Sequence, residues 1–106
     1  MGTSCTVTAK YRDGKWRQIY IHFDGYPDYT GRKLLSNYNT QEQVESLLEK
    51  GSLSCLESDL EQITDDPVIV VDSPYVVVYN VIHKYIWDGK EWEIDGENLQ
   101  EIVDQL

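Results

Sequence analysis

The residues best suited to chemistry in this chain fall in one short stretch, Ile21-His22-Phe23-Asp24-Gly25-Tyr26-Pro27-Asp28-Tyr29-Thr30-Gly31. His22 and Asp24 stand two apart, so an unbroken strand would point both to one face, where a carboxylate can orient an imidazole as a general base. That reading implies a hydrolytic or small-ligand site centred on His22 and Asp24, with Tyr26 beside them. No nucleophile accompanies them in a recognisable motif, and an architectural reading is stronger. Asp24-Gly25 bends the chain, Pro27 fixes φ and holds Tyr26 extended, and Gly31 releases the chain into the Leu34-Leu35 segment. We therefore expect His22, Asp24, Gly25, Tyr26, Pro27 and Gly31 to form a structural loop, with no catalytic residue. Cys5, His22, Cys55 and His83 could be imagined around a metal, Cys5 opposite His22 across a hairpin. They lack the close pairs that metal sites use, and no metal or cofactor is expected.

The elements that would position these residues are legible from period and punctuation. Cys5, Val7, Ala9 and Tyr11 alternate with Thr6, Thr8 and Lys10, as a half-buried strand does. Asp13-Gly14 then predicts a two-residue turn, with a second strand from Lys15 to about Phe23. Lys84 to Ile94 repeats the device around Asp88-Gly89. If each Asp-Gly pair forms the turn, Tyr11 faces Trp16 and Tyr85 faces Trp92. Val68 to Val71 and Val76 to Ile86 are β-branched runs that favour strand.

Helices are expected between the hairpins and after the second. Thr40-Gln41-Glu42-Gln43 is a capping box before Val44, Leu47 and Leu48, and Lys50-Gly51 closes that helix. Ser54-Cys55-Leu56-Glu57 offers another start, with Leu53, Leu56, Leu60 and Ile63 at helical spacing. Asp95 can cap a last helix carrying Leu99, Ile102, Val103 and Leu106. The sum is one α+β domain over residues 1–106, an antiparallel sheet of about four or five strands with three or four short helices packed on it.

Composition narrows the function classes. At 106 residues, 41% hydrophobic and 11% aromatic, the chain can bury about two-thirds of its extended surface and fold without staples. No signal-peptide pattern accompanies Cys5 and Cys55, and no apolar run approaches the roughly 18 residues of a spanning helix, so a cytoplasmic protein is expected. The net charge is −10, unevenly spread. Residues 1 to 33 carry six Lys or Arg against three Asp, and residues 34 to 106 carry three Lys against sixteen Asp or Glu. Such a balance repels nucleic acid and attracts basic protein surfaces.

His22-Phe23-Asp24-Gly25-Tyr26-Pro27 with Gly31, Leu34-Leu35, Tyr38, the Val44 to Leu48 helix and Gly51-Ser52-Leu53-Ser54 resembles a family of small bacteriophage and prophage proteins. The later aromatic hairpin, Tyr85 through Trp92, is similar as well. The resemblance covers roughly residues 16 to 60 and 83 to 94 and carries no activity onto any position. It implies a phage setting within a bacterial host. Small acidic phage proteins include anti-CRISPR and anti-restriction inhibitors, some of which place carboxylates where a nuclease expects DNA phosphates. The expected partner-binding residues are Glu57, Asp59, Glu61, Asp65 and Asp66, with Asp88, Glu91, Glu93, Asp95 and Glu97. The expected function is inhibition of a defence or nucleic-acid-handling protein, such as a CRISPR effector, through this DNA-mimic-like surface. A structural or regulatory interaction module of a phage is the other non-enzymatic reading.

Overall fold

A computed structural model describes residues 3–22, 25–51, 67–76 and 81–106. The first two strands, β1 (Cys5–Lys10) and β2 (Trp16–Ile21), pair antiparallel. After them come one turn of π-helix (Pro27–Gly31), α1 (Arg32–Asn37), α2 (Gln41–Leu48) and β3 (Ile69–Val71). The chain ends with β4 (His83–Trp87), β5 (Trp92–Ile94), β6 (Glu97–Asn98) and α3 (Leu99–Asp104). All six strands form one sheet in the order β3-β2-β1-β4-β5-β6.

The α+β class is as expected, but the sheet is mixed and six-stranded. Its central pair, β1 with β4, runs parallel, with Cys5 opposite His83 and Ala9 opposite Trp87. Parallel neighbours need a long crossover, and residues 11 to 82 supply it, carrying α1 and α2. Hairpin punctuation reveals only local pairings, so this non-local one could not be read from the chain. The sixth strand, β6, holds only two residues, where the sequence suggests the approach to the last helix.

Central position also corrects the burial of β1. Thr6 and Thr8, expected to face outward, are 3% and 1% exposed, because the strand has neighbours on both sides and cover on both faces. Gln18 on β2 is buried with them, and its Nε2 donates to Thr8 Oγ1 at 2.9 Å. On the other face Val7, Ala9, Ile19, Tyr85 and Trp92 meet Leu34, Val44, Leu47, Leu99 and Val103 in the main core.

The turns differ from expectation in register. In the first hairpin, Gly14 N–H donates to Tyr11 O and Tyr11 N–H to Lys15 O, each at 2.9 Å. Gly14 takes φ +83°, a left-handed conformation that lets a type I turn close with one residue more than the expected pair. The ladder therefore sets Lys10 opposite Trp16 and Cys5 opposite Ile21. The expected facing pairs Tyr11 with Trp16 and Cys5 with His22 do not form. In the second hairpin Asp88 Oδ1 accepts from Lys90 N–H at 2.8 Å and Glu91 N–H at 2.9 Å, and a four-residue loop results. Trp87 thus faces Trp92, their ring centroids 5.4 Å apart, and Tyr85 faces Ile94 instead of Trp92.

A two-residue turn does occur, at Asp95-Gly96. There φ is +51° and +88°, the positive pair that a type I′ turn requires, and Ile94 faces Glu97. Asp95 consequently caps no helix. Asn98 does so for α3, its Oδ1 accepting from Glu101 N–H at 3.0 Å. At α2 the Thr40 hydroxyl accepts from Gln43 N–H at 3.2 Å, while the Gln43 side chain reaches Asn39 N–H, one residue before the expected partner. The helix expected after Ser54 and the middle of the long Val76 to Ile86 strand, residues 77–80, lie outside the described residues. Strand β4 itself is confined to His83–Trp87.

Candidate interaction surface

The opening stretch is tied into the sheet at several atoms. Gly25 N–H donates to Thr3 O at 2.7 Å, and the buried Tyr85 hydroxyl donates to Gly25 O at 2.7 Å. A Cβ at position 25 would stand 2.8 Å from both Cys5 Cβ and Thr3 O, so close approach of backbone to β1 requires glycine there. Tyr26 is extended at φ −75°, ψ 156° before Pro27, as a residue preceding proline prefers. Gly31 does not release the chain. It has helical φ −60°, and a Cβ there would meet Leu99 Cδ1 at 3.0 Å, so its smallness admits α3.

His22 Nδ1 lies 2.7 Å from the Tyr20 hydroxyl, and the two rings are 5.8 Å apart. Asp24, its expected carboxylate partner, lies outside the described residues. Among the described residues, His83 stands beside an acid: its Nδ1 is 2.8 Å from Asp95 Oδ2. Asp95 Oδ1 also accepts from Lys84 N–H at 3.0 Å, and Asp95 N–H donates to Lys84 O at 3.0 Å, so this carboxylate stitches β4 to the β5–β6 turn. Cys5 is fully buried beside this ladder. Burial pushes its thiol well above the ordinary range, with the Asp95 charge adding to the shift, which leaves little thiolate for nucleophilic attack. Among the described residues no group of three or more His, Cys, Asp or Glu could hold a metal ion.

The predicted acidic residues divide into two sets. Glu57, Asp59, Glu61, Asp65 and Asp66 lie outside the described residues. Asp88 and Asp95 are occupied in positioning backbone, as given above. Glu91 Oε2 accepts from Asn98 Nδ2 at 3.4 Å. Glu93 faces Ile86 and Asn98 in the ladder and is half-buried, whereas Glu97 is exposed on the edge strand β6 opposite Ile94. Adjacent α3 adds exposed Glu101 and Asp104, which the sequence reading did not include. The signal for them was present, because both occupy polar positions of the last helix between the apolar Leu99, Ile102 and Val103.

The basic residues near the start of the chain behave differently. Arg12 Nε and a terminal nitrogen each lie 3.2 Å from Glu45 oxygens, and Arg12 N–H donates to Glu45 Oε2 at 3.0 Å. Arg17 reaches Asp13 at 3.0 Å and lies over the Tyr11 ring at 4.1 Å, and Arg32 reaches Asp28 at 2.7 Å. Gln41 links the same corner, donating to Lys10 O and Glu45 Oε2 at 2.8 Å while accepting from Trp87 Nε1 at 2.8 Å. Burial alone would raise the Glu45 carboxyl, but hydrogen bonds from Arg12 and Gln41 outweigh it and hold the group below the ordinary glutamate range. Tyr11 donates to Glu49 Oε2 at 2.6 Å, and burial together with that bond raises its hydroxyl pKa.

The four ion pairs among the described residues thus use Arg12, Arg17, Arg32 and His83, and none uses Glu91, Glu93, Glu97, Glu101 or Asp104. No helix among the described residues is long and apolar enough to cross a membrane. Comparison with protein-family models, with curated proteins and with solved structures gave no match to this chain.

Proposed function

We propose that this protein acts by binding, not by catalysis, and that its carboxylate-rich end captures a cationic surface on a bacterial protein that handles nucleic acid. One observation carries this reading. The arginines of the first third of the chain are each held by a carboxylate of the same chain, whereas Glu91, Glu97, Glu101 and Asp104 are exposed around β5, β6 and α3 and take part in no ion pair among the described residues. At that end the exposed carboxylates outnumber the one exposed lysine, Lys90, so the net charge offered to a partner is negative, and a Lys- or Arg-lined groove would meet it with favourable long-range attraction. Glu57, Asp59, Glu61, Asp65 and Asp66, which lie outside the described residues, add to the acidity that the proposal invokes by composition alone. Occlusion of the groove against DNA or RNA follows as the mechanism, without a cofactor. The resemblance of the His22 to Pro27 motif to phage proteins supports an anti-defence setting in the bacterial cytoplasm, with a CRISPR effector as one partner of the required chemistry.

The test is capture from bacterial lysate across a salt series, comparing the protein with a fourfold variant, Glu91→Gln, Glu97→Gln, Glu101→Gln and Asp104→Asn. A retained nucleic-acid-binding protein whose affinity falls with salt, and falls about tenfold or more in the variant, supports the reading. Equal capture by both proteins at every salt concentration overturns it.

A further inference from the structure

The two edges of the sheet are finished differently. At one edge β6 is two residues long and carries the exposed Glu97, and a short, charged edge discourages pairing with a further strand. At the other edge β3 holds Ile69, Val70 and Val71, a β-branched run with no charge, proline or bulge, in continuous register with β2. Val70 is 62% exposed there, and no strand lies beyond it among the described residues.

The direction of the backbone groups follows from the ladder. Tyr11 N–H donates to Lys15 O at the hairpin, and along an antiparallel pair alternate residues exchange hydrogen bonds. Ala9 with Arg17 and Val7 with Ile19 are therefore the bonded pairs, and Trp16 and Gln18 turn their backbone groups towards Val71 and Ile69 of β3. Val70, opposite Arg17, presents its N–H and C=O to the outside. A donor and an acceptor on one residue are self-complementary across a two-fold axis. Val70 can exchange both bonds with the second copy's Val70, and Val68 then stands opposite the second copy's Asp72.

Charge favours this occupant at this edge. Each copy carries a net charge of −10, so two copies can meet only where their acidic ends stay apart. Strand β3 lies beside the first hairpin, in the part of the chain where residues 1 to 33 carry six Lys or Arg against three Asp, and Arg17 stands opposite Val70. The acidic β6 edge is five strand spacings away, about 24 Å, well beyond the Debye length of roughly 8 Å at physiological salt. Antiparallel pairing also sets the two Asp72 carboxylates at opposite ends of the seam, whereas parallel pairing would stack them.

We propose that β3 pairs antiparallel with β3 of a second copy of this chain across a two-fold axis at Val70, joining the two sheets into one, independently of the acidic surface described above. The seam is short, below the roughly 1,200 Å² of a stable interface, so the dimer is weak and transient.

The experiment is amide hydrogen exchange of the intact protein, followed by NMR from dilute solution to about 1 mM at low and high salt, with sedimentation of the same samples. The Val70 amide is expected to exchange freely when dilute and to slow about tenfold or more as concentration rises, while the Ile69 and Val71 amides, bonded to β2, stay protected throughout. Rising salt should strengthen the dimer by screening the repulsion between copies, the opposite of its effect on capture by the acidic surface, so the two readings fail separately. Val70→Lys sets two ammonium groups against each other across the axis and should weaken association about tenfold or more, with the rest of the spectrum unchanged. Glu97→Gln at the other edge should not weaken it. A monomer at every concentration and salt, a Val70 amide protected equally at all concentrations, or a dimer indifferent to Val70→Lys would overturn the proposal. So would protection that appears only when another protein is added, which assigns the edge to a foreign strand. The exchange measurement needs no variant, so it decides even where Val70→Lys fails to fold.

Discussion

The β1–β2 hairpin and the β4–β5 hairpin are built from nearly the same words, an aromatic strand, Asp-Gly, a lysine and a tryptophan, yet the molecule holds them by opposite means. The first is held from outside at its tip, where Tyr11 and Arg12 reach the polar side of α2 at Glu49 and Glu45. The second is held from within, by two indoles 2% exposed, one anchored to Gln41 and the other to the Tyr38 carbonyl. A polar clamp at the surface and a buried aromatic pair differ several-fold in the free energy they contribute. Screening and side-chain entropy erode the clamp, whereas the pair removes apolar area from water.

Removing Trp92 should break the comparison most severely. Trp92→Ala leaves a cavity in the core and the Tyr38 carbonyl without its donor, and a loss of about 3 to 5 kcal/mol is expected, read from the urea midpoint. Second in size is Gly25→Ala. The added methyl would meet Cys5 Cβ and the Thr3 carbonyl at 2.8 Å, and neither is a flexible chain end, so roughly 1 to 3 kcal/mol should be lost in the same assay. A smaller effect, about 1 kcal/mol, is expected of Gly96→Ala, which forces an L side chain to φ +88° although nothing lies within 4 Å of the new atom. Equal stability of Gly96→Ala and the parent would show that the β5–β6 turn relaxes without cost.

These turns also explain what the sequence could and could not disclose. Period and punctuation located both hairpins, α2 and α3, because each is written in neighbouring residues. They mislaid the registers, because three Asp-Gly pairs close three different loops. Asp13-Gly14 gains a residue by placing Gly14 left-handed after a type I turn, Asp88 folds its carboxylate onto two backbone amides, and only Asp95-Gly96 makes the two-residue turn. Dipeptide identity admits all three, and the surrounding contacts choose. The parallel pairing of β1 with β4 was hidden for a different reason, since it joins residues about eighty positions apart and leaves no local mark. At the surface, the acidity of the C-terminal third was legible as composition. The internal consumption of Arg12, Arg17 and Arg32 was not, because Arg12 finds Glu45 only after the hairpin docks on α2.

That docking gives the finest discrimination between the two hairpins, because it should respond to pH while the indole pair does not. The folded state holds the Glu45 carboxyl below its ordinary value of 4.5, so the folded protein binds fewer protons there than the unfolded chain. The stabilisation is therefore complete above pH 4.5 and drains away as pH falls through the lowered folded value. Arg12 is largely exposed, so solvent screening keeps the contribution small, at the level of an exposed ion pair. Glu45→Gln should lower stability by that amount at neutral pH and flatten this part of the acid limb, so that mutant and parent converge once Glu45 is protonated. Urea midpoints measured down the acid range would check it. A constant gap between the two proteins at every pH would mean that Glu45 supports α2 by shape, and that the surface clamp on the first hairpin owes nothing to its charge.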